Sequence, residues 1–458
     1  MPVIFSKKIL GKNRLDGFYE TPLKTVEYMS KKILNKVEKN FTICDPCAGD
    51  GVFLDYLYKS GISQKNLFGY DIDKQKVNNL KKKFKNVDFF DSTKKFKRKF
   101  DIIIGNPPYA GDESYFIREN RKRLEEDYKH IKAKNLFSII SYNCINHLNP
   151  GGYFIKILSD AFLTNIYYKQ FRDFLFSELD IIEICLAPRD LFKHINADVG
   201  TCILFGRKKE TTQIVFKGRK KDIKTQKIKL VDRLLNETEY YKNSKTEWIS
   251  QDKIKDYPNS QILIGVSKEI RNLYLNSKIQ LGDIAEGGTG ISTGNDKIYL
   301  KKTSDIKKNK SQWVSYYKNA ARAKFFYKPV FSIEKNYKKY HKKISNYLIR
   351  NEKFFFKEGI SCSSVGIRFS ASYMPKGCLF GVNANFFFKN RENLFYVLAF
   401  LNTKIAWYFA RKVLIRTNNI SANYLRKMPI IFPKSKIIKK NISNKTKEVV
   451  KAIKLDKN

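Results

Sequence analysis

Four consecutive residues, Asn106, Pro107, Pro108 and Tyr109, set a carboxamide, two rigid rings and a phenol at the end of the apolar run "FDIIIG". Proline fixes its own φ and drives the preceding residue towards extended backbone, so Asn106 and Pro107 are both held stiff. Prolines donate no hydrogen bond, which leaves the Pro107 carbonyl an acceptor for a ligand, beside the Asn106 side-chain oxygen. Two converging acceptors suit a planar exocyclic amine, whose two N–H groups both need partners. Pulling on those protons from a fixed geometry favours a pyramidal nitrogen and localises its lone pair for attack. Tyr109 adds a flat face on which a substrate ring can stack. The plain alternative is a turn after a strand, since Asn-Pro is common in turns.

A second constellation lies upstream. "ICDPCAGDGVFL" (43–54) joins a strand to a helix through a turn carrying Gly49 and Gly51, which let the backbone approach a ligand closely. Asp71 ends the next strand, 20 residues after Gly51, where a carboxylate can accept from both hydroxyls of a ribose. The order D-P-x-x-G-x-G is a poor cradle for a pyrophosphate, and no lysine-bearing P-loop is present. An adenosine without phosphates fits better. Asp91 ends the third strand and is placed to take the exocyclic amine of such an adenine. Helix capping or turn formation would explain either acid alone. Their joint placement at successive strand ends favours a ligand.

The elements that must hold these residues alternate. Strands are predicted at 41–46, 66–71, 86–91, 100–106, 151–159, 181–187 and 200–208, with helices at about 22–38, 52–60, 74–84, 135–148 and 167–178. Such alternation predicts a parallel sheet covered by helices, with ligands bound at the carboxyl ends of the strands. Residues 209–255 form a polar, Lys-rich junction with scattered short strands. The second half, 256–433, does not repeat the alternation. It holds "EGGTGISTGNDKIYL" (286–300), "GCLFGVNANFFF" (377–388) and an amphipathic helix over 392–413, before a basic tail at 434–458 that is frayed or weakly helical.

Composition bounds the partners. The formal charge is +45, from 89 basic and 44 acidic residues, which favours a polyanion such as nucleic acid. The abundance of Lys, Asn, Ile and Phe tempers that reading, because AT-rich coding alone produces it. Seven cysteines show no disulfide framework, and Cys44 and Cys47 read as two thiols within a turn; no metal site is predicted. No apolar run approaches the roughly 20 residues needed to span a bilayer. The first residues lack the apolar core of a secretory signal, so a soluble cytoplasmic protein is expected.

"FDIIIGNPPY" with "DPCAGDG" upstream resembles the S-adenosylmethionine-dependent amino-methyltransferases, in particular the TaqI-like N6-adenine DNA methyltransferases of the gamma order. The resemblance implies an α/β, Rossmann-like doubly wound methyltransferase sheet over 1–208. It implies a mixed α+β target-recognition domain after the junction, since "GISTGNDKIYL" and "VLAFLNTKIAWYFARKV" are similar to segments of that domain. Similar segments occur in the large adenine methyltransferases of phage-defence systems. "FYETPLKTVEYM" (18–29) is similar to the family's amino-terminal motif, which places Thr21 and Pro22 against the methionine end of the cofactor. By the same resemblance Asp45, with Pro46, Cys47, Gly49 and Gly51, lies near the methionine ammonium. Asp71 with Ile72 then binds the ribose, and Asp91 with Ser92 the adenine. Asn106 touches both cofactor and substrate, and Phe192 joins Tyr109 in sandwiching a flipped base. Lys297, Arg322, Arg368 and Asn418 are the candidate DNA contacts.

The implied activity is site-specific methylation of adenine N6 in double-stranded DNA, in a restriction-modification or phage-defence setting. No nuclease constellation is visible in the chain, which leaves the cutting activity to a separate endonuclease or defence partner. An RNA adenine methyltransferase uses the same turn. So do protein-glutamine methyltransferases, which are shorter and lack a basic carboxy-terminal module. A non-catalytic DNA-binding specificity subunit is the reading from another class. Residues 112–134 form a charged helical insert that either covers the substrate or presents a solvated face.

Overall fold

The structure, a computed structural model, describes residues 18–36, 38, 40–112, 114–132, 135–188, 191–192, 199–210, 226–232, 245–318, 323–344, 346–363, 368–416 and 420–455. The chain divides into two compact units, Met1–Gly265 and Val266–Asn458.

The first unit is an α/β fold around a nine-stranded mixed sheet. Its strands are β1 (Ile43–Asp45), β2 (Leu67–Asp71), β3 (Val87–Phe89), β4 (Phe100–Gly105), β5 (Leu148–Ser159), β6 (Leu179–Leu186), β7 (Thr201–Lys208), β8 (Lys227–Asp232) and β9 (Lys245–Ser250). The helices used below are α1 (Leu23–Leu34), α2 (Val52–Lys59), α3 (Lys74–Lys81), α4 (Tyr115–Asp127), α5 (Leu136–Asn146) and α6 (Lys169–Glu178). Strand order is β3-β2-β1-β4-β5-β7-β6-β8-β9. The chain begins mid-sheet, winds out to β3 and then crosses back to β4. The crevice of such a sheet opens beyond the carboxyl ends of its strands, where the winding direction switches. β1 and β4 flank that point.

Strands β1 to β5 pair in parallel, as the alternation predicts. The rest of the sheet is mixed. β7 enters between β5 and β6 and runs antiparallel to both. Strand composition carries no direction, and an antiparallel partner needs only a returning connection instead of a crossover helix. The segment read as a junction supplies β8, parallel to β6, and β9, antiparallel to β8.

Arg172 of α6 is fully buried, which for a guanidinium demands partners. It donates to the carbonyls of Phe162 and Asn165 (2.8 Å to the latter), and twice to Asn259 (3.1 and 2.7 Å). These bonds tie the loop after β5 to the end of the unit. Arg172→Met leaves those carbonyls dry and unpaired, an expected cost of about 2–4 kcal/mol. A lowered melting temperature checks it, and an unchanged one refutes the assignment.

The second unit holds a five-stranded and a four-stranded sheet among its described residues. The first runs Ala285–Gly288, Ala384–Phe388, Gly359–Cys362, Ala371–Met374, Phe325–Phe326; the second Leu300–Lys302, Phe331–Glu334, Trp313–Tyr317, Leu379–Phe380. The single amphipathic helix predicted at 392–413 is interrupted. A first helix, Glu392–Leu401, is apolar nearly all round and buried. Thr403 then caps a second helix, accepting from the Ala406 amide at 3.2 Å, while the Asn402 amide donates to Leu398 and Ala371 carbonyls. Polar side chains that bond the backbone locally start and stop helices. The tail expected to fray is a regular helix, Lys436–Leu455, which buries Ser443, Thr446 and Val450. Packing of one stripe supplies what lysine-rich composition alone does not.

Candidate active site

The crevice begins with a glycine. Gly105, the last residue of β4, has φ +141°, and a Cβ there would lie 2.3 Å from the Asp45 Oδ1. Only glycine lets β4 pass so close to the carboxylate at the end of β1. Asp45 is buried, and its Oδ1 accepts from the Cys47 amide at 3.1 Å. Burial pushes its pKa up to about 6, against the pull of the Lys156 ammonium and of that amide. Lys156 lies on β5, paired in register with Gly105, so Asp45, Gly105 and Lys156 are carried by three adjacent strands. Its Nζ is buried with no hydrogen-bond partner.

Asp71 and Asp73 divide the work that sequence left undecided between capping and binding. Asp73 caps α3, accepting from the amides of Gln75 and Lys76. Asp71 accepts from the Gly49 amide at 2.8 Å through Oδ2 and from the Asp73 amide at 2.9 Å through Oδ1. Gly49, at φ +56°, turns its N–H towards that carboxylate. Each Asp71 oxygen keeps a lone pair for a ligand. Asp91 accepts from the Thr93 amide (2.9 Å) and hydroxyl (2.6 Å), a turn-forming role, and also from Arg123 of α4.

Asn106 is held by its amide nitrogen, which donates to the Tyr19 carbonyl at 2.9 Å and to Thr21 Oγ1 at 3.1 Å. Its Oδ1 accepts from the Tyr109 hydroxyl, which also reaches the Ile157 carbonyl. No described residue donates to the buried Pro107 carbonyl. Pro22 sits at the start of α1, and its carbonyl accepts from the Thr25 and Val26 amides.

Asp71, Asp91 and Asn106 share one cleft of about 320 Å³, lined also by Tyr19, Pro46, Cys47, Ile72, Ser92 and Pro108, while Pro107 and Tyr109 are not part of its lining. A smaller adjoining hollow touches Thr21, Asp45, Gly49 and Asn106. Ile72 is 52% exposed at the cleft, an apolar wall waiting for a flat ring. Asp71, Asp91 and Asn106 on the cleft and Asp45 on the adjoining hollow form an acceptor set for a cationic, hydroxylated, amine-bearing ligand. Among the described residues no group of His, Cys, Asp or Glu could hold a metal, and no helix is long and apolar enough to cross a membrane.

Tyr109 and Phe192 are both buried, with centroids 6.4 Å apart and planes inclined 59°. That is direct ring–ring contact and leaves no slot for a third ring. Tyr19 completes the cluster, stacked on Tyr109 at 5.7 Å and 5.3 Å from Phe192. Sequence reasoning quoted Tyr19 within a motif without assigning it a role, and passed over Arg123 and Lys156 altogether. For Lys156 a signal existed, a lysine inside the apolar strand "YFIKIL". In the second unit Lys297, on the short helix Asp296–Tyr299, and Arg368 are exposed. Arg322 and Asn418 lie outside the described residues.

Comparison with known proteins matches residues 30–192 to a family described as Eco57I restriction-modification methylase. Type II methyltransferase M.VspI of Vibrio sp. (strain 343) is 27% identical over 168 residues, covering 34% of this chain and 40% of that protein. The release factor glutamine methyltransferase of Buchnera aphidicola subsp. Schizaphis graminum is 38% identical over 118 residues, 24% of this chain and 42% of that protein. The chain therefore matches well under two thirds of either relative. A nuclease-deletion mutant of the Type ISP restriction-modification enzyme LlaGI, solved with a DNA substrate mimic, shares the fold over 95% of this chain and 54% of that one (TM-score 0.59, 13% identity). A methylase match implies S-adenosylmethionine as the methyl donor, and the acid-lined, phosphate-averse cleft accommodates it. Residues 30–192 carry the sequence pattern of the Eco57I restriction-modification methylase family, on a fold shared with restriction-modification enzymes.

Proposed function

We propose that this chain is a restriction-modification DNA methyltransferase of the TaqI-like gamma order that methylates adenine N6. The observation that carries the reading is the placement of Asn106, fixed by Tyr19 and Thr21, in the same cleft as Asp71 and Asp91. Bound S-adenosylmethionine supplies an electrophilic methyl group. Asp45 faces its ammonium, Thr21 flanks the methionine end, Asp71 accepts from the ribose, and Asp91 from the adenine amine. Asn106 Oδ1 and the Pro107 carbonyl accept the two protons of the target amine and leave its lone pair directed into the cleft. The flipped base takes the place of the Tyr19 ring, stacked on Tyr109 with Phe192 beside it, once Tyr19 moves aside. Extracting the base costs roughly a few kcal/mol, which those stacking contacts offset.

Residues 266–433 act as the target-recognition unit, with Lys297 and Arg368 as phosphate or base contacts and the net charge of +45 drawing in duplex DNA. A second reading, transfer to a glutamine side-chain amide, draws support from the release factor methyltransferase match, because that amide is also planar and bears two N–H groups. Incubation with methyl-labelled cofactor and, in parallel, duplex DNA, structured RNA and a release factor decides between them. Label is expected in N6-methyladenine of DNA at a recurring sequence. Label confined to RNA or to protein would overturn the reading.

A further inference from the structure

The charged helix α4, whose composition reads equally as a solvated face, lines the cofactor cleft instead. Ser114, Tyr115, Phe116 and Glu119 form part of its wall, together with Asp71, Ile72 and Asp91. The inner residues Ile117 and Leu124 are buried against the first unit's core, so the helix is seated by its own apolar stripe. Its far end is pinned to the loop that follows β3. Arg123 Nη2 lies 3.3 Å from Asp91 Oδ2 and 3.0 Å from Thr93 Oγ1, and the Tyr128 hydroxyl donates to the Thr93 carbonyl. Asn120 and Asp127 flank the guanidinium at 3.3 and 3.7 Å.

Resting on the methyltransferase reading, we propose that α4 is the outer wall of the cofactor site and that Arg123 is the positioning residue for Asp91. The lone-pair count shows why. Asp91 Oδ1 already accepts twice from Thr93. Oδ2 accepts from Arg123 and keeps one position, the only one left on the carboxylate for a cofactor amine. Arg123, half-buried and planar, fixes the torsion of the carboxylate so that this position faces the cleft. Without it the carboxylate pivots on Thr93 and the acceptor turns away. Tyr115, 69% exposed, and Glu119, also exposed, line the cleft and slow the departure of the purine.

Titration calorimetry with S-adenosylhomocysteine and with its inosine counterpart, in which a carbonyl replaces the amine, tests this on the full chain. The unmodified protein is expected to prefer the adenine form clearly. Arg123→Met is expected to weaken the adenine form about tenfold and erase the preference, with duplex DNA affinity unchanged. Arg123→Lys, which retains charge but not the planar fork, is expected to restore part of it. Tyr115→Ala, an exposed change that leaves the fold intact, is expected to speed adenine-form release several-fold. A folded Arg123→Met protein with the preference intact, or an unaltered release rate in Tyr115→Ala, overturns the wall assignment alone. Failure of the unmodified protein to bind the adenine form overturns the methyltransferase reading with it.

Discussion

Replacing Asn106 with alanine is expected to lower methyl transfer by about 10²- to 10³-fold, the loss typical when one preorganised polar contact to the reacting group is removed. The structure explains why so small a change costs so much. The Asn106 amide nitrogen is spoken for by Tyr19 and Thr21, so the oxygen has one orientation only. That oxygen also takes the Tyr109 hydroxyl, so alanine frees the ring on which the substrate is to stack. Asn106→Asp retains an acceptor but sets a second oxygen against the Tyr19 carbonyl and Thr21, and is expected to fall between alanine and the unmodified protein. Cofactor affinity should change little in either, because Asp45, Asp71 and Asp91 are untouched. Single-turnover rates beside cofactor titration separate the two effects. Alanine activity within tenfold of normal would remove Asn106 from the chemistry.

The second large effect concerns pH. Asp45, raised by burial to about 6, must be ionised to face an ammonium, so cofactor affinity is expected to fall as pH drops through about 6. Lys156 opposes the rise from the neighbouring strands, and Lys156→Met is expected to move the midpoint of that profile upward and to weaken binding at pH 7 about tenfold. Stability should respond in the opposite sense. A carboxyl whose folded pKa exceeds its unfolded value stabilises the fold below the unfolded pKa, and that contribution is lost as pH rises through about 6. Met also removes the cation that opposes the desolvation of buried Asp45, and leaving that carboxylate uncompensated outweighs the relief of an ammonium with no hydrogen-bond partner. The variant should therefore melt below the parent at about pH 7 and close to it at about pH 4, while binding cofactor more weakly. Profiles of dissociation constant against pH that superimpose for the two proteins would refute the coupling.

The acids at 45, 71 and 91 were legible because they fall at the ends of a regular alternation: Asp45 and Asp71 end β1 and β2, while Asp91, expected to end its strand, stands two residues beyond β3. The distinction between Asp71 and Asp73 was not, since "DID" offers two carboxylates one residue apart from interchange and only backbone direction separates them. Arg123 had no signature. Within "RENRKRLEED" every charge looks like a solvated neighbour of the next, and its reach to Asp91 spans 32 residues. The antiparallel entry of β7 was equally hidden, because alternating apolar residues fit a strand of either sense.

The ring of Tyr19 stacked on Tyr109 has a consequence for how a substrate arrives. An empty aromatic slot would fill with water between turnovers, and each arriving base would have to drive that water out. Here the slot is closed by the protein's own ring. In the proposed reaction an entering base would swap one aromatic neighbour for another, so that Tyr109 keeps a ring against its face with and without substrate.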